Sequence, residues 1–396
     1  MPAWKRNLFA CWIGVFIAAI GMSEVAPILP LYLHHLGIQN ASLVSRLSGI
    51  TFGSTYFVSA IFAPIWGRAA DRIGRKPIIL RAGIGLSVVY LLMGIAPNAA
   101  VLLILSMVQG AFTGYGSACN PLIATQTDKE HVGYALGTLS TAGIAGSLLG
   151  PIVGGAIEDV WGLQAVYFIM SALLFIAFLV TMLLVKESFV REDKKSQGIR
   201  EIWKSVPQKE LTVVVWITFF ILMIGLYSIE PIMTQYISQL HPDASHIALI
   251  SGLVFSASGL SNIISAPRLG KLSDKIGANK VILISLIAAG ILYIPQAFVQ
   301  NPWQLLVFRF LLGFAMGGLI PSVNIMIKKI TPDALTGQVF GLNMSFGYLG
   351  VFAGSVVGGQ IAGQSSIRYV FYFASALMLL NAVWIYFRAY KKLGSR

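Results

Sequence analysis

Glu24 and Glu230 are the only two of the chain's fifteen acidic residues that sit well inside its long apolar runs. A carboxylate deep in hydrocarbon is costly and marks a functional site by default. Desolvation favours its protonated form, so such a group can hold a proton near neutral pH and release it when water or a cation arrives. Each stands before a helix-bending proline, Glu24 ahead of Pro27 and Glu230 directly ahead of Pro231. The adjacent proline favours Glu230 as the acid that couples to motion, with Glu24 reading substrate charge. A carboxyl buried for structure alone is the competing reading. The third ionisable residue in a run is Arg309, six residues past Trp303, so roughly 9 Å along a helix. It can snorkel to the outer interface or stand beside the proton site; the sequence leaves both open.

Polar and aromatic residues accompany these groups: Tyr32, Gln109, Tyr115, Asn120, Tyr227, Gln235, Asn324 and Asn343. An aromatic, methionine-containing cavity with an acid suits small amphipathic cations or zwitterions. Taken singly, each residue also fits plain core packing. No metal-ligand cluster, nucleophile–base pair or phosphate-binding loop is present, so no metal, no cofactor and no enzyme chemistry is expected. Cys11 and Cys119 both lie in apolar runs and form no disulfide framework.

The elements that must position these residues are membrane helices. Of 396 residues, 56% are hydrophobic and 11% charged, against roughly 25% charged in soluble domains; the mean hydropathy is +0.78. Twelve nearly continuous apolar runs cover 8–34, 44–67, 77–96, 99–124, 132–158, 163–185, 211–239, 246–270, 280–299, 303–327, 335–361 and 367–388. Each is long enough to cross a bilayer, and in lipid each must be a helix because its backbone has to bond internally. The expected fold class is an all-α membrane protein with twelve transmembrane helices. The first run is too long for a signal-peptide core and lacks a small-residue cleavage pattern, so it is read as the first span.

The net charge of +13 is explained by topology rather than by a nucleic-acid partner. With the N-terminus inside, 25 of the 28 Lys and Arg fall in cytoplasmic segments. Only Arg46 and Arg368 lie in outer loops, and Arg309 lies in a span. That asymmetry predicts a multi-pass protein of the cell membrane with both termini cytoplasmic.

One long polar segment, 186–210, divides two halves, 1–185 and 211–396. An amphipathic interfacial helix is expected around Ile199 to Val206. The halves repeat. Gly21 and Pro27 match Gly225 and Pro231 at an offset of 204; Gly67, Asp71 and Gly74 match Gly270, Asp274 and Gly277 at 203; Gly110 matches Gly313; Gly146, Gly150, Gly154 and Gly155 match Gly350, Gly354, Gly358 and Gly359. Parallel six-helix repeats place a binding site at the midplane between them, and rocking of the halves gives alternating access.

Two motifs carry a resemblance. The first is Gly67–Asp71–Gly74–Arg75 in GRAADRIGRKP, where the glycines are expected to make a tight turn. Asp71 is expected to accept from Arg75 and from a neighbouring helix N-terminus, whose dipole favours an anion. The second is GSLLGPIVGG, with Gly146, Gly150, Pro151, Gly154 and Gly155 at the spacing that lets helices approach closely. The first resembles the signature loop of the major facilitator superfamily, and span count, loop lengths and half-repeat agree over the whole chain. The second is similar to the motif of that superfamily's proton-coupled drug antiporters, which uptake symporters typically lack. The resemblance implies that the first and seventh helices line the cavity, that the loop gates, and that the fifth-helix motif seals the halves and favours exchange over leak. It implies small-molecule substrates, protons and membrane lipids as partners, a functional monomer, and proton-gradient drive. The fourth helix departs from the pattern: Ser106 stands four residues before Gly110 where antiporters carry Arg, while the tenth has Arg309 four before Gly313.

The leading expectation is therefore proton-coupled efflux of drugs by alternating access. The alternative is a symporter or facilitator for a small nutrient, which the fifth-helix motif and the shortage of cavity Lys or Arg disfavour. A membrane enzyme finds no supporting cluster.

Overall fold

The structure is a computed structural model that describes residues 2–189, 208–242, 246–332 and 336–390. Among these, twelve helices are long and apolar enough to cross a membrane: α1 (Ala3–His35), α2 (Ala41–Ile73), α3 (Arg75–Gly94), α4 (Ala99–Gln126), α5 (Val132–Trp161), α6 (Leu163–Leu184), α7 (Lys209–Leu240), α8 (Ile247–Ile276), α9 (Ala278–Gln296), α10 (Pro302–Ile330), α11 (Gln338–Gln364) and α12 (Ile367–Arg388). The described residues contain no strand. An even number of crossings brings the start of α1 and the end of α12 to one face, the terminal face; the opposite one is the far face. The interfacial helix expected around Ile199 to Val206 lies outside the described residues.

Several helices outrun the apolar runs that announced them. The apolar pattern marks only the part a bilayer would contain, and charged Lys and Arg are good helix formers. α2 thus carries Gly67, Arg68, Asp71 and Arg72 within the helix, and only Gly74, at φ 95°, breaks it. The expected turn over Gly67 and Gly74 is corrected to Gly74 alone. A Cβ at Gly67 would meet nothing within 4 Å. The repeat behaves alike, with Gly270 helical and Gly277 turning at φ 97°.

Three runs that read as single helices are broken. α4 divides into Ala99–Phe112 and Tyr115–Gln126 around Gly114, at φ 108°. α7 divides into Lys209–Tyr227 and Met233–Leu240, joined by a 3-10 turn at Glu230–Ile232. α10 divides into Pro302–Met316 and Leu319–Ile330. Carbonyls released at such a break need partners, because hydrocarbon offers none. In α4 they find Arg81 of α3, which donates to Ala111 O and Thr113 O, each at 3.0 Å, and stacks 3.7 Å over the Trp66 ring. The Trp66 indole donates to Ala111 O as well, at 2.8 Å.

The first six and last six helices meet along two seams. In one, Gly49 of α2 faces the Ser355 backbone and Gly359 of α11, so that two backbones touch with no side chain between. In the other, Gly155 of α5 faces Ala248 and Leu249 of α8, and Gly252 of α8 faces the Pro151 carbonyl. Cross-seam hydrogen bonds reinforce them. Ser42 donates to Gly363 O, Ser45 to Gln235 Oε1 at 2.6 Å, Gln235 Nε2 to Ala41 O at 2.8 Å, and Ser256 to Leu148 O at 2.6 Å. His246 Nδ1 lies 3.2 Å from Asp159 Oδ2. These contacts run from the middle of the helices to the far face. Toward the terminal face the same helices part: a Cβ at Gly133 or Gly137 of α5, or at Gly341 of α11, would meet nothing within 4 Å. Among the described residues, the contacts between the halves named here lie toward the far face and not toward the terminal face.

Gly49→Leu drives a side chain into the α11 backbone. It is expected to insert normally, to lower transport by roughly an order of magnitude or more, and to expose a Ser48→Cys probe to membrane-impermeant maleimide from the far face. Unchanged labelling of that probe means the seam does not depend on this contact.

Candidate functional site

Glu24 lies in α1 and is 1% exposed; both carboxyl oxygens are shielded and accept no hydrogen bond. The surrounding shell is built from tyrosines. Tyr90 donates to Gly21 O at 2.5 Å, and Gln109 Nε2 donates to Tyr90 Oη at 3.0 Å. Tyr167 packs on Tyr32 and Tyr90 with ring centroids 4.8 and 6.2 Å away, and Tyr32 donates to Met93 O at 2.7 Å. Among the described residues no cation pairs with Glu24.

The fifth-helix motif covers this acid. A Cβ on Gly154 would stand 2.9 Å from Glu24 Cβ and 3.4 Å from its Oε2, and one on Gly150 would press on Ile20 and Ser23. Gly146, one turn further back, packs on Phe16 and Ala19. Positions four apart form a single helical face, so these three glycines dock α5 onto α1. Pro151 and Gly155 lie on the adjoining face, against α8. One helix thus separates the buried acid from the inter-half seam by its own thickness.

Glu230 sits at the break in α7, largely buried, where it lines a cavity of about 140 Å³ with Ser258, Asn262 and Arg309. Arg309 is 3% exposed, its Nε has no partner, and its Nη2 lies 3.7 Å from Met233 Sδ. The snorkelling alternative for Arg309 is excluded; the side chain points into the helix bundle. This arginine lies in the second half, on α10, while the matching position in the first half is Ser106.

Between the two acids stands an aromatic cluster that crosses the halves. Tyr56 of α2 lies 6.0 Å from both Tyr227 of α7 and Tyr348 of α11, and Phe52 lies 5.1 Å from Tyr56 and 6.1 Å from Tyr227. Tyr56 and Tyr227 are within electrostatic reach of Glu230. Sequence reasoning named Tyr227 but missed Tyr56, Tyr348, Phe52, Tyr90 and Tyr167. Nothing local distinguishes an inward tyrosine from a lipid-facing one.

The other expected cavity residues disperse. Tyr115 bonds Thr181 at 2.5 Å inside a separate core near the terminal face, beside Cys11 and Cys119, and so does not line the cavity. Asn120 is exposed on the second half of α4, and Asn324 is half-buried on α10. Asn343 is buried with its Oδ1 unpartnered. Gln235 bridges α7 to α2 in the far-face seam rather than facing open space.

In the loop between α2 and α3, Arg75 Nη2 bonds Asp71 Oδ1 at 2.5 Å, with Asp71 largely exposed. The helix N-terminus expected to face Asp71 is not the adjacent one. The first N–H groups of α3, on Arg75 and Lys76, donate to Glu187, each at 2.8 Å. Lys76 Nζ in turn donates to Met182 O and Val185 O at the end of α6. An anion on a helix start and a cation on a helix end both suit the dipoles. Asp274 lies in the last turn of α8, as its repeat position demands.

Comparison with known proteins places the chain. The family model of the Major Facilitator Superfamily matches residues 11–251 and 215–395. The Multidrug resistance protein MdtG of Salmonella typhimurium is 41% identical over 382 residues, covering 96% of this chain and 95% of that protein. The MdtG of Salmonella typhi is equally similar, at 41% over 96% of this chain and 95% of its own length. Among solved structures, the nucleoside transporter NupG superposes with a TM-score of 0.77 at 13% identity, over 98% of this chain and all of that one. A bacterial homologue of the human lysosomal transporter Spinster, inward-facing and unoccupied, gives 0.78 at 15%, over 100% and 99%.

Gly154→Leu must displace Glu24. Gradient-driven transport is expected to fall at least about tenfold, whereas Gly137→Leu, which enters open space, is expected to leave it within about twofold. Equal effects of the two substitutions on flux in proteoliposomes mean that the contact with Glu24 is not what matters.

Proposed function

The chain belongs to the Major Facilitator Superfamily, and from that premise we propose that it exports small amphipathic drugs in exchange for protons. It is a transporter rather than an enzyme, and a multi-pass membrane protein. The basic residues assign the terminal face to the cytoplasm, so the sealed far face is the outside and the structure is inward-open. Residues 1–185 and 211–396 rock as two bodies joined by 186–210, in a monomer, with no cofactor beyond the proton gradient.

The observation that carries the coupling is the position of Glu24 under Gly154. When the outer seam opens, α5 leaves α8 and water reaches the α1–α5 contact, where Glu24 takes a proton from the outside. A neutral carboxyl tolerates burial under α5 far better than an unpaired carboxylate does, so closure of the outer seam accompanies protonation. In the inward-open state a cationic drug group or water, arriving from the cytoplasm, draws the proton off. A proton on Glu24 and a drug at the second acid belong to opposite steps of the cycle, the one leaving as the other enters, and that exclusion is what makes exchange obligatory. This reading exchanges the roles the prolines suggested: among the described residues Glu24 has no compensating cation, whereas Glu230 shares its cavity with Arg309. Glu230 and the tyrosine cluster then hold the drug, whose aromatic or cationic surface suits ring faces.

Glu24→Gln is expected to abolish accumulation driven by an imposed pH difference in proteoliposomes while retaining drug binding and drug–drug exchange. A double Glu24→Gln, Glu230→Gln variant that still concentrates drug on a pH difference rules out both acids as the carrier. Asp71→Asn, on the gating loop, is expected to slow turnover at least about tenfold with drug affinity unchanged; the reverse pattern removes the loop from gating.

A further inference from the structure

Arg309 is a buried cation aimed into a cavity, and among the described residues no carboxylate pairs with it directly. A guanidinium carries five donors, and inside a protein an unpaired one is costly. Yet Nε is unpartnered, and Nη2 lies 3.7 Å from the Met233 thioether, a weak acceptor. No carboxylate comes within salt-bridge distance of it among the described residues. Tyr293 of α9 stands beside it, with its hydroxyl shielded and likewise unpartnered. From α8 come Ser258 and Asn262, two neutral polar side chains lining the same cavity, and from α7 comes Glu230. The opposite half has no counterpart: the position matching Arg309 is Ser106, whose hydroxyl is used up on Leu102 O at 2.9 Å.

We propose that Arg309 receives an anionic group of the drug, with Asn262 and Ser258 beside it, and so makes the protein a transporter of zwitterions as well as cations. This rests on the export reading above. The cavity of about 140 Å³ holds a carboxylate and the ring edge that bears it, not a whole drug. The rest of the molecule lies against Tyr227 and Tyr56, with its ammonium toward an acid. The arrangement keeps charge balanced. A zwitterion brings one charge of each sign to Glu230 and Arg309, which already oppose one another in that cavity. Its binding there therefore needs no proton, and coupling stays with Glu24. Glu230 and the drug carboxylate compete for the same guanidinium, which limits how tightly the anion is held.

The test is equilibrium binding to the purified full-length protein, without any gradient, using norfloxacin, a carboxylate-and-ammonium zwitterion, and its ethyl ester, which keeps the ammonium alone. The wild type is expected to bind the acid about tenfold or more tighter than the ester, the size of a charge-assisted hydrogen-bonded contact. Arg309→Gln is expected to bring that ratio to about one, and Arg309→Lys to leave an intermediate value. Should Arg309→Gln fail to fold, Glu230→Gln decides the matter: removing the competing carboxylate is expected to raise the acid-to-ester preference several-fold. The proposal is overturned by a wild type that does not bind the acid or binds both ligands alike, by Arg309→Gln weakening both by one factor, or by a preference that Glu230→Gln leaves unchanged or lowers. The binding ratio is independent of proton coupling, so failure of the Glu24 reading appears in gradient-driven flux alone and failure of the Arg309 reading in this ratio alone.

Discussion

Hydrocarbon offers no partner to a charge or to an open peptide group, and every unusual feature of this protein answers to that constraint. Nine of the twelve spans run as uninterrupted helices, which meet most of their backbone groups within the helix. The three that break, α4, α7 and α10, do so inside the protein. At α4 the freed carbonyls are met by Arg81 stacked on Trp66. At α7 the break carries Glu230 and a proline that has no N–H to satisfy. Ionisable groups within the spans are placed by the same rule: Glu24 under α5, Arg309 and Glu230 around one cavity.

Close approach of helices follows from a second consequence of the same solvent. Lipid tails are as apolar as Leu, so helix association rests on packing and on hydrogen bonds rather than on expulsion of water. The far-face seam uses both. Gly49 against Gly359 and Gly155 against Ala248 bring backbones together, and Ser42, Ser45, Ser256 and Gln235 bond across. Few large side chains sit in this seam, chiefly Arg46 against Gly363 and Phe57 against Phe352, so little has to repack for it to open. Each contact is small, and a rocking motion can exchange the set for another.

The two halves share a plan but not a chemistry. In the first half the acid is covered by a glycine and ringed by tyrosines, with no cation. In the second the acid lies at a helix break and shares a cavity with an arginine. One fold duplicated in sequence thus holds two environments of different polarity. That difference is what the proposed division of labour, a proton at one acid and the drug at the other, rests on.

The sequence by itself determined the elements and their class. Twelve runs of membrane length, charge asymmetry and a fixed repeat offset are properties of composition along the chain, and hydrocarbon permits only helices there. It also singled out Glu24, Glu230 and Arg309, because an ionisable residue in an apolar run is visible without knowing its neighbours. The tertiary structure decided what those residues face. Gln235 reads as a cavity residue and closes a seam; Tyr115 reads the same way and sits in a separate core; Tyr56 and Tyr348 went unread and form the central cluster. All are polar or aromatic residues on apolar helices, and which side of a helix turns inward is set by packing across the two halves, over separations of hundreds of residues. The breaks in α4, α7 and α10 were hidden for a related reason. A glycine or proline in a membrane helix is tolerated whether or not the helix yields, and only the partners that other helices bring decide which it does.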